Sequence, residues 1–417
     1  MEDMASNMML PLVYGPAADE AAARLQHLKA WYTELYGADE VEFFSAPGRT
    51  EIIGNHTDHN GGKILAASIT MDTIAAAAKS DDGHVHIVSE GYPDAIDIDL
   101  ATAAETPHCQ GTRSLVAGMM VAARDMGYEV GGFNAVVSSE VIPSAGVSSS
   151  ASFEMLVCSI IDHLFNNDAI SCAEYARIGQ FAENHFWDKA SGLMDQMACA
   201  VGGTILLDFS DGVSYRKVDF SYDALDLDLV IVNTGKGHAD LSAEYSSVPG
   251  EMRAVAAELG ATTLSGTTKD ALLQNLGAIR TKLGNDRAIL RALHYFEECD
   301  RVDTAVRALE QGDKACVLRM IEASGTSSWE LLQNAYVATD PTEQSIPLAL
   351  ALTQHFLKQA GAGVCRLHGG GFAGVIMCAV PKDKTADYVD FMATYFGREN
   401  VYRTGIRQTG AVCLGAL

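Results

Sequence analysis

The segment Gly48-Arg49-Thr50-Glu51-Ile52-Ile53-Gly54-Asn55-His56-Thr57-Asp58-His59-Asn60-Gly61-Gly62 packs an arginine, histidines, asparagines and acids between two apolar stretches. On a loop, such a set offers a carboxylate and several donors to the hydroxyls of a small polar ligand. A polar surface turn is the plainer reading. A metal site from His56, Asp58 and His59 lacks the i, i+4 histidine spacing of helical zinc sites. Further on, Pro143-Ser144-Ala145-Gly146-Val147-Ser148-Ser149-Ser150-Ala151-Ser152 is a run of small residues opening a helix. Backbone N–H groups there can approach an anion, and the helix N-terminus adds a favourable dipole; a serine-rich helix cap is the alternative. No GxxxxGK[ST] pattern occurs, so a Walker-type phosphate site is excluded. Glu183 and Asp195 stand on either side of a glycine-bearing loop. One can hold a cation while the other acts as a base, which suits phosphoryl transfer; a helix-surface Glu and an N-cap Asp are the bland alternative. Lastly, Gly369, Gly371 and Gly374 satisfy GxGxxG, but the following Val375–Val380 reads as a strand. A glycine turn between strands fits better than a dinucleotide site.

These segments need elements to hold them. Leu25, Leu28, Trp31 and Leu35 predict an amphipathic helix from about Ala18 to Tyr36. Val41 to Phe44 reads as a strand ending in a turn at Pro47-Gly48. Ile64 to Ala78 and Val85 to Ser89 read as strands joined by a hairpin at Asp81-Asp82-Gly83. Helical patterns cover Arg113–Met126, Ser148–Phe165 and Ala173–Phe186, with a strand over Gly132–Val141. Strand character returns near Gly203–Asp208 and Val218–Val232. Helical periodicity dominates Ser242–Ala257 and Arg287–Ala323, and Val364–Leu367 and Val375–Val380 flank the glycine cluster. Mixed elements without strict alternation predict an α+β protein of two halves, 1–215 and 216–417, with the seam near 211–227.

The 417 residues include 54 acids against 29 bases, a formal charge of −25. That balance argues against nucleic-acid or anionic-membrane partners. A hydrophobic fraction of 48% with 20% charged residues supports a substantial core. No segment approaches the roughly 18 uninterrupted apolar residues of a membrane span; even Ile64–Ala78 is broken by Asp72. Nine cysteines without CxxC pairs read as reduced, mostly buried thiols. Met1-Glu2-Asp3-Met4 lacks the basic start of a secretory signal, so a cytoplasmic location is expected. The acidity also sets a problem: an anionic ligand must be held by local backbone and a few cations against a repulsive field.

In order, the PGR…GxHxDH loop, SAGVSSSAS, SGLMDQ and GGGFAG resemble the motifs of the galactokinases, a branch of the GHMP kinases, over Phe43 to Val380. The resemblance implies a two-lobed GHMP kinase fold, each lobe a mixed or antiparallel sheet packed with helices, with the active site in the cleft. It implies ATP and Mg²⁺, and phosphorylation of the anomeric C1 hydroxyl of galactose to galactose 1-phosphate and ADP. In this pattern Asp195 is the catalytic aspartate and Arg49 the arginine that stabilises the transition state. Asn55, His56, Thr57, Asp58, Gly192 and Tyr245 surround the sugar. Gly146, Val147, Ser148, Ser149, Ser150 and Ala151 cradle the phosphates, and Ser150 and Glu183 ligate magnesium. Sugar and nucleotide are the expected partners of a monomer.

Departures from the pattern are informative. Asn55 stands where the family places a glutamate against the C6 hydroxyl. Glu51 replaces an asparagine, His59 a tyrosine, His368 a threonine and Ala373 a glycine. The Trp-x-Asn-Tyr-Val-Lys-Gly segment becomes Gly111–Gly118, which leaves the adenine contacts unassigned. Asn55 raises the alternative of another galacto-configured sugar, such as galacturonate. A non-catalytic sugar and ATP sensor is a further alternative, against which the retention of Arg49, Glu183 and Asp195 argues.

Overall fold

The structure is a computed structural model that describes residues 9–37, 40–143, 146–188, 191–235 and 241–416; Met1 to Met4, and Ser144 and Ala145 of the serine-rich loop, lie outside the described residues. The polar cluster sits at the turn between two long antiparallel strands, β1 (Glu42–Ile53) and β2 (Lys63–Lys79). Both are buried along most of their length; β2 is a mostly apolar run broken by Asp72, whereas β1 also buries the polar Ser45, Arg49, Thr50 and Glu51. Pro47 and Gly48, expected to end a short strand, instead continue β1 through a shift of register between Pro47 and Arg49. A bulge tolerates a residue without an N–H, so no turn is needed there.

Strands β3 (His84–Ser89) and β4 (Ile96–Asp99) pair antiparallel, while β5 (Phe133–Ser139) runs antiparallel to β2 and parallel to β3. The hairpin expected at Asp81-Asp82-Gly83 is therefore absent, because β5 separates the strands on either side of it. β6 (Thr204–Asp208) pairs with the start of β2, and β7 (Ser214–Val218) with β6. A second, four-stranded antiparallel sheet comprises β8 (Leu227–Asn233), β9 (Val364–Leu367), β10 (Val375–Pro381) and β11 (Val401–Thr404), in the order β11-β8-β10-β9. The final strand, β12 (Val412–Gly415), crosses back to pair with β1. The chain changes sheets between Val218 and Leu227, and a division at residue 215 falls inside β7.

Helix α1 (Ala18–Tyr36) buries Leu25, Leu28 and Tyr32 against Phe43, Ile74 and Val136. On the other face of the sheet, α2 (Thr112–Asp125), α3 (Ser149–Ile161), α4 (Cys172–His185) and α5 (Met194–Val201) bring the phosphate-loop candidates and both acids together. The second half adds α6 (Ser242–Glu258), α7 (Lys269–Leu283), α8 (Asp286–Glu310) and α9 (Lys314–Ser327). The helical stretch from Arg287 to Ala323 is two helices, because Gly312 takes φ +71° and Asp313 caps α9 through the Cys316 N–H. Helices α10 (Ser345–Ala360) and α11 (Thr385–Phe396) pack on the second sheet. Among the described residues, no helix is long and apolar enough to cross a membrane.

Candidate active site

Helix α8 fixes the polar turn after β1. Glu298 Oε1 accepts the N–H groups of Gly54 and Asn55 at 2.9 and 3.3 Å, and His294 Nε2–H donates to the Asn55 carbonyl at 2.9 Å. Burial pushes the Glu298 carboxyl up, but His294, Arg301, Arg366 and the Ser324 hydroxyl outweigh it and hold the group at about 2. Asn55 itself is fully buried. Its Nδ2 donates to Glu51 Oε1 (3.0 Å) and the Gly369 carbonyl (2.7 Å), while Oδ1 accepts from Ser328 (3.2 Å) and Asn334 (2.9 Å). The amide that the resemblance assigns to a sugar hydroxyl is thus engaged within the protein. Thr57 Oγ1 lies against the Gly54 and Lys63 carbonyls at 3.0 and 2.8 Å, closing the turn.

His56 takes a left-handed φ of +59° and directs Nε2–H at the Gly370 carbonyl, 2.9 Å away. Burial first, then the nearby His59, pushes its pKa down to about 4, so the ring is neutral and Nδ1 is left as an acceptor. Gly192 meets Asp58 closely: a Cβ there would lie 2.3 Å from Asp58 Oδ2. Tyr245 donates to the Gly371 carbonyl at 3.0 Å and stands edge-on to Phe372. A side chain on Gly370 would come within 2.3 Å of the Tyr245 ring. The glycine cluster is accordingly a β9–β10 turn that admits His56 from one side and Tyr245 from the other.

The second half of the site is built on β1, α3, α4 and α5. Buried Arg49 donates Nε–H to Asp195 Oδ1 at 2.9 Å and an Nη1–H to the Gly146 carbonyl, while its own N–H bonds the Val147 carbonyl at 3.1 Å. Burial disfavours the Arg49 charge, but Asp195 outweighs it and raises the pKa above its ordinary value. The other carboxylate oxygen of Asp195 accepts from Ser148 Oγ at 2.6 Å. Ser148 is the α3 N-cap, at φ +62°, and its hydroxyl makes no capping bond to the helix. The first N–H groups of α3 are left uncapped by it, as an anion site requires.

At the second residue of α3, Ser150 Oγ donates to Glu183 Oε1 at 3.2 Å. Gln196 bridges Glu183 Oε2 and Glu154 Oε2 at 3.1 and 3.0 Å. The hydroxyl and carboxylate of Ser150 and Glu183 are hard oxygen donors, a set suited to Mg²⁺ beside phosphates. The groupings close enough to share an ion among the described residues are Glu42–His163–Cys413 and His84–His86–Asp97, neither of which is the trio of His56, Asp58 and His59. Next to Asp58 and Gly192 opens a cleft of about 350 Å³ lined by His59, Asn184, Asp188, Ser191 and Arg253.

Sequence reasoning missed Gln196, Glu154, Glu298, His294 and Arg366, the last of which pairs with Glu51 at 2.9 Å. Gln196 adjoins Asp195, and Arg366 lies three residues before the glycine cluster, so position alone could have flagged both. Glu298 and His294 lie in a long helix far along the chain, with no local signal.

Comparison with known proteins follows the same lines. A galactokinase galactose-binding signature matches residues 30–79, and the N-terminal domain of GHMP kinases matches residues 114–203. The chain is 31% identical to the galactokinase of Lactococcus lactis subsp. lactis (strain IL1403) over 88% of this chain and 90% of the relative. It is 29% identical to the galactokinase of Streptomyces coelicolor over 82% and 85%. The crystal structure of Lactococcus lactis galactokinase complexed with galactose superposes with a TM-score of 0.80 at 28% identity, covering 93% of this chain and 99% of that one. A mevalonate kinase structure, at 14% identity and a TM-score of 0.61 over 88% and 99%, shares the fold. Sheets packed with helices in this arrangement form the α+β GHMP kinase fold, and with motifs, identity and superposition in agreement the chain belongs to the galactokinase family.

Proposed function

We propose that the protein transfers the γ-phosphoryl group of ATP to the C1 hydroxyl of galactose, giving galactose 1-phosphate and ADP. The observation that carries this reading is the position of Asp195. One of its oxygens is held by Arg49 and the other by Ser148 at the phosphate loop, and the Gly192 that abuts Asp58 lies three residues before it. The galactokinase relatives supply the sugar's identity.

In this mechanism the neutral His56 and the Asp58 carboxylate accept sugar hydroxyls, the Gly192 backbone lines the pocket, and Tyr245 closes it. Asn55 and Thr57 act on the sugar indirectly, by holding the turn that carries His56 and Asp58. Gly146 to Ala151 and the α3 N-terminus receive the phosphates. Ser150 and Glu183 would hold Mg²⁺, which when bound offsets phosphate charge. Asp195 accepts the C1 hydroxyl proton as the hydroxyl oxygen attacks. Arg49 steadies that carboxylate and turns part of its guanidinium toward the charge developing on the phosphoryl group. Positioning and fixed charge supply most of the barrier reduction in such transfers. The same reading makes two lobes of a cytoplasmic monomer, expected as 1–215 and 216–417 but with β7 completed and β12 returned to the first, whose partners are the sugar and the nucleotide, and its charge of −25 disfavours nucleic acid and anionic membranes.

An ATP-coupled assay with galactose, galacturonate, arabinose and N-acetylgalactosamine tests the proposal. ADP formation is expected with galactose at the highest kcat/KM. Binding of galactose and ATP without ADP would make the protein a sensor and overturn the reading.

A further inference from the structure

His368 has no role in the mechanism above, yet it lies at the junction of its two halves. The ring is 1% exposed and follows β9 into the glycine turn. Its Nε2 lies 3.2 Å from the Glu51 backbone nitrogen and 3.0 Å from Thr50 Oγ1. A backbone N–H can only donate, so Nε2 is the lone-pair nitrogen and Nδ1 carries the proton of the neutral ring. Burial, then the charges of Arg49 and Arg366, pushes the imidazole well below its usual range and keeps it neutral. Nδ1–H is buried and makes no close hydrogen bond among the described residues, but it already feels the Gly146 backbone beside it. It faces Gly146: a Cβ built there would stand 3.7 Å from Nδ1. The Gly146 carbonyl is meanwhile bonded by Arg49 Nη1.

Two needs therefore meet at one carbonyl. If Arg49 turns Nη1 toward a phosphoryl group, that nitrogen leaves the Gly146 carbonyl. A buried carbonyl abandoned without a new donor opposes that motion. The donor that stands beside it without a close hydrogen bond is His368. We propose that His368 is a positioning residue whose Nδ1–H takes over the Gly146 carbonyl when Arg49 turns to the transferred group. The hand-off keeps the phosphate loop in place while the guanidinium is released. This inference rests on the kinase reading given above.

The test compares wild type with His368→Ala, His368→Asn and His368→Gln. An asparagine amide replaces the donor near the Nδ1 position, whereas glutamine extends to the Nε2 position. His368→Ala is expected to lower kcat roughly 10-fold, the size of one lost hydrogen bond in the transition state, with the galactose dissociation constant unchanged. His368→Asn is expected to restore most of the loss and His368→Gln little of it. An alanine variant with wild-type kcat, or glutamine restoring as well as asparagine, overturns the proposal. An inactive wild type overturns the kinase reading instead, and the hand-off falls with it.

If the variants fail to fold, imidazole ¹⁵N NMR of the wild-type protein decides. The His368 ring is expected to be protonated at Nδ1, with that signal shifting when galactose and a non-hydrolysable ATP analogue bind. Protonation at Nε2, or a signal unmoved by both ligands, overturns the proposal.

Discussion

Asp195 is held at 2.9 Å by Arg49 and at 2.6 Å by Ser148, so its carboxylate is oriented before any substrate arrives. Asp195→Asn keeps that shape and removes the base. Its kcat should fall by about 10²–10⁴-fold, while calorimetry should find galactose binding intact; loss of binding would mean that Asp195 serves affinity and not proton transfer. At Gly192 the constraint is steric, since a Cβ would stand 2.3 Å from Asp58 Oδ2. Gly192→Ala should displace the Asp58 carboxylate and raise the KM for galactose roughly 10-fold or more with the KM for ATP unchanged, as steady-state kinetics will report. At this scale the sequence was most legible where residue type and neighbours together named a chemistry. Arg49 meets Asp195, and Ser150 meets Glu183. Asn55 was less legible, because its partners Gly369, Ser328 and Asn334 lie about 270 or more residues away and nothing local announces them.

Among the elements, β2 carries a charge where its pattern asks for an apolar residue. Asp72 is fully buried and answered by Arg407 at 3.1 Å, Arg24 at 2.9 Å, and the hydroxyls of Ser45 and Tyr14 at 2.6 and 2.7 Å. Asp72→Ala strands the Arg407 charge in the core and should cost about 3–5 kcal/mol in urea unfolding; a loss below about 1 kcal/mol would contradict that account. The α8 anchor and its turn also make stability depend on pH. His56 is held at about 4 against an ordinary 6.5, so the unfolded chain binds a proton in that interval that the folded chain refuses. Its contribution is complete above pH 6.5 and is lost as pH falls toward 4. His294 and His368, both lowered by burial, act in the same direction. Glu298, held at about 2 against 4.5, loses its contribution at lower pH, between those two values. Melting temperature should therefore decline from pH 6.5 to 4, and a flat profile would contradict the neutral-histidine picture. Helices α1 to α4, α6 and the α8–α9 stretch were readable from periodicity, whereas α7, α10 and α11 were not recognised in it. Strand partners were not, because the insertion of β5 between β2 and β3 is a pairing between distant segments that local turn chemistry does not encode.

For the whole molecule, the charge of −25 and the binding of a nucleotide are compatible because the proposed site is small and local. Backbone N–H groups, the α3 dipole and the buried Arg49 act at contact distance, whereas the acidic surface acts through screening solvent. The two sheets are tied by β12, which returns from the second half to pair with β1, and by Arg366, which reaches Glu51 and the Ile52 carbonyl. Both contacts end on the strand that carries Arg49, so motion between the halves would be felt at the proposed catalytic arginine. The central claim is galactose phosphorylation at C1 with Asp195 as base. It is tested most directly by ³¹P NMR of the products formed from galactose, ATP and Mg²⁺ by wild type and by Asp195→Asn. The account predicts equal amounts of galactose 1-phosphate and ADP from the wild type, and neither at a comparable rate from an Asp195→Asn protein that still binds galactose. A wild type that binds both ligands yet forms no C1 phosphate, or an Asp195→Asn protein that forms it at the wild-type rate, would contradict it.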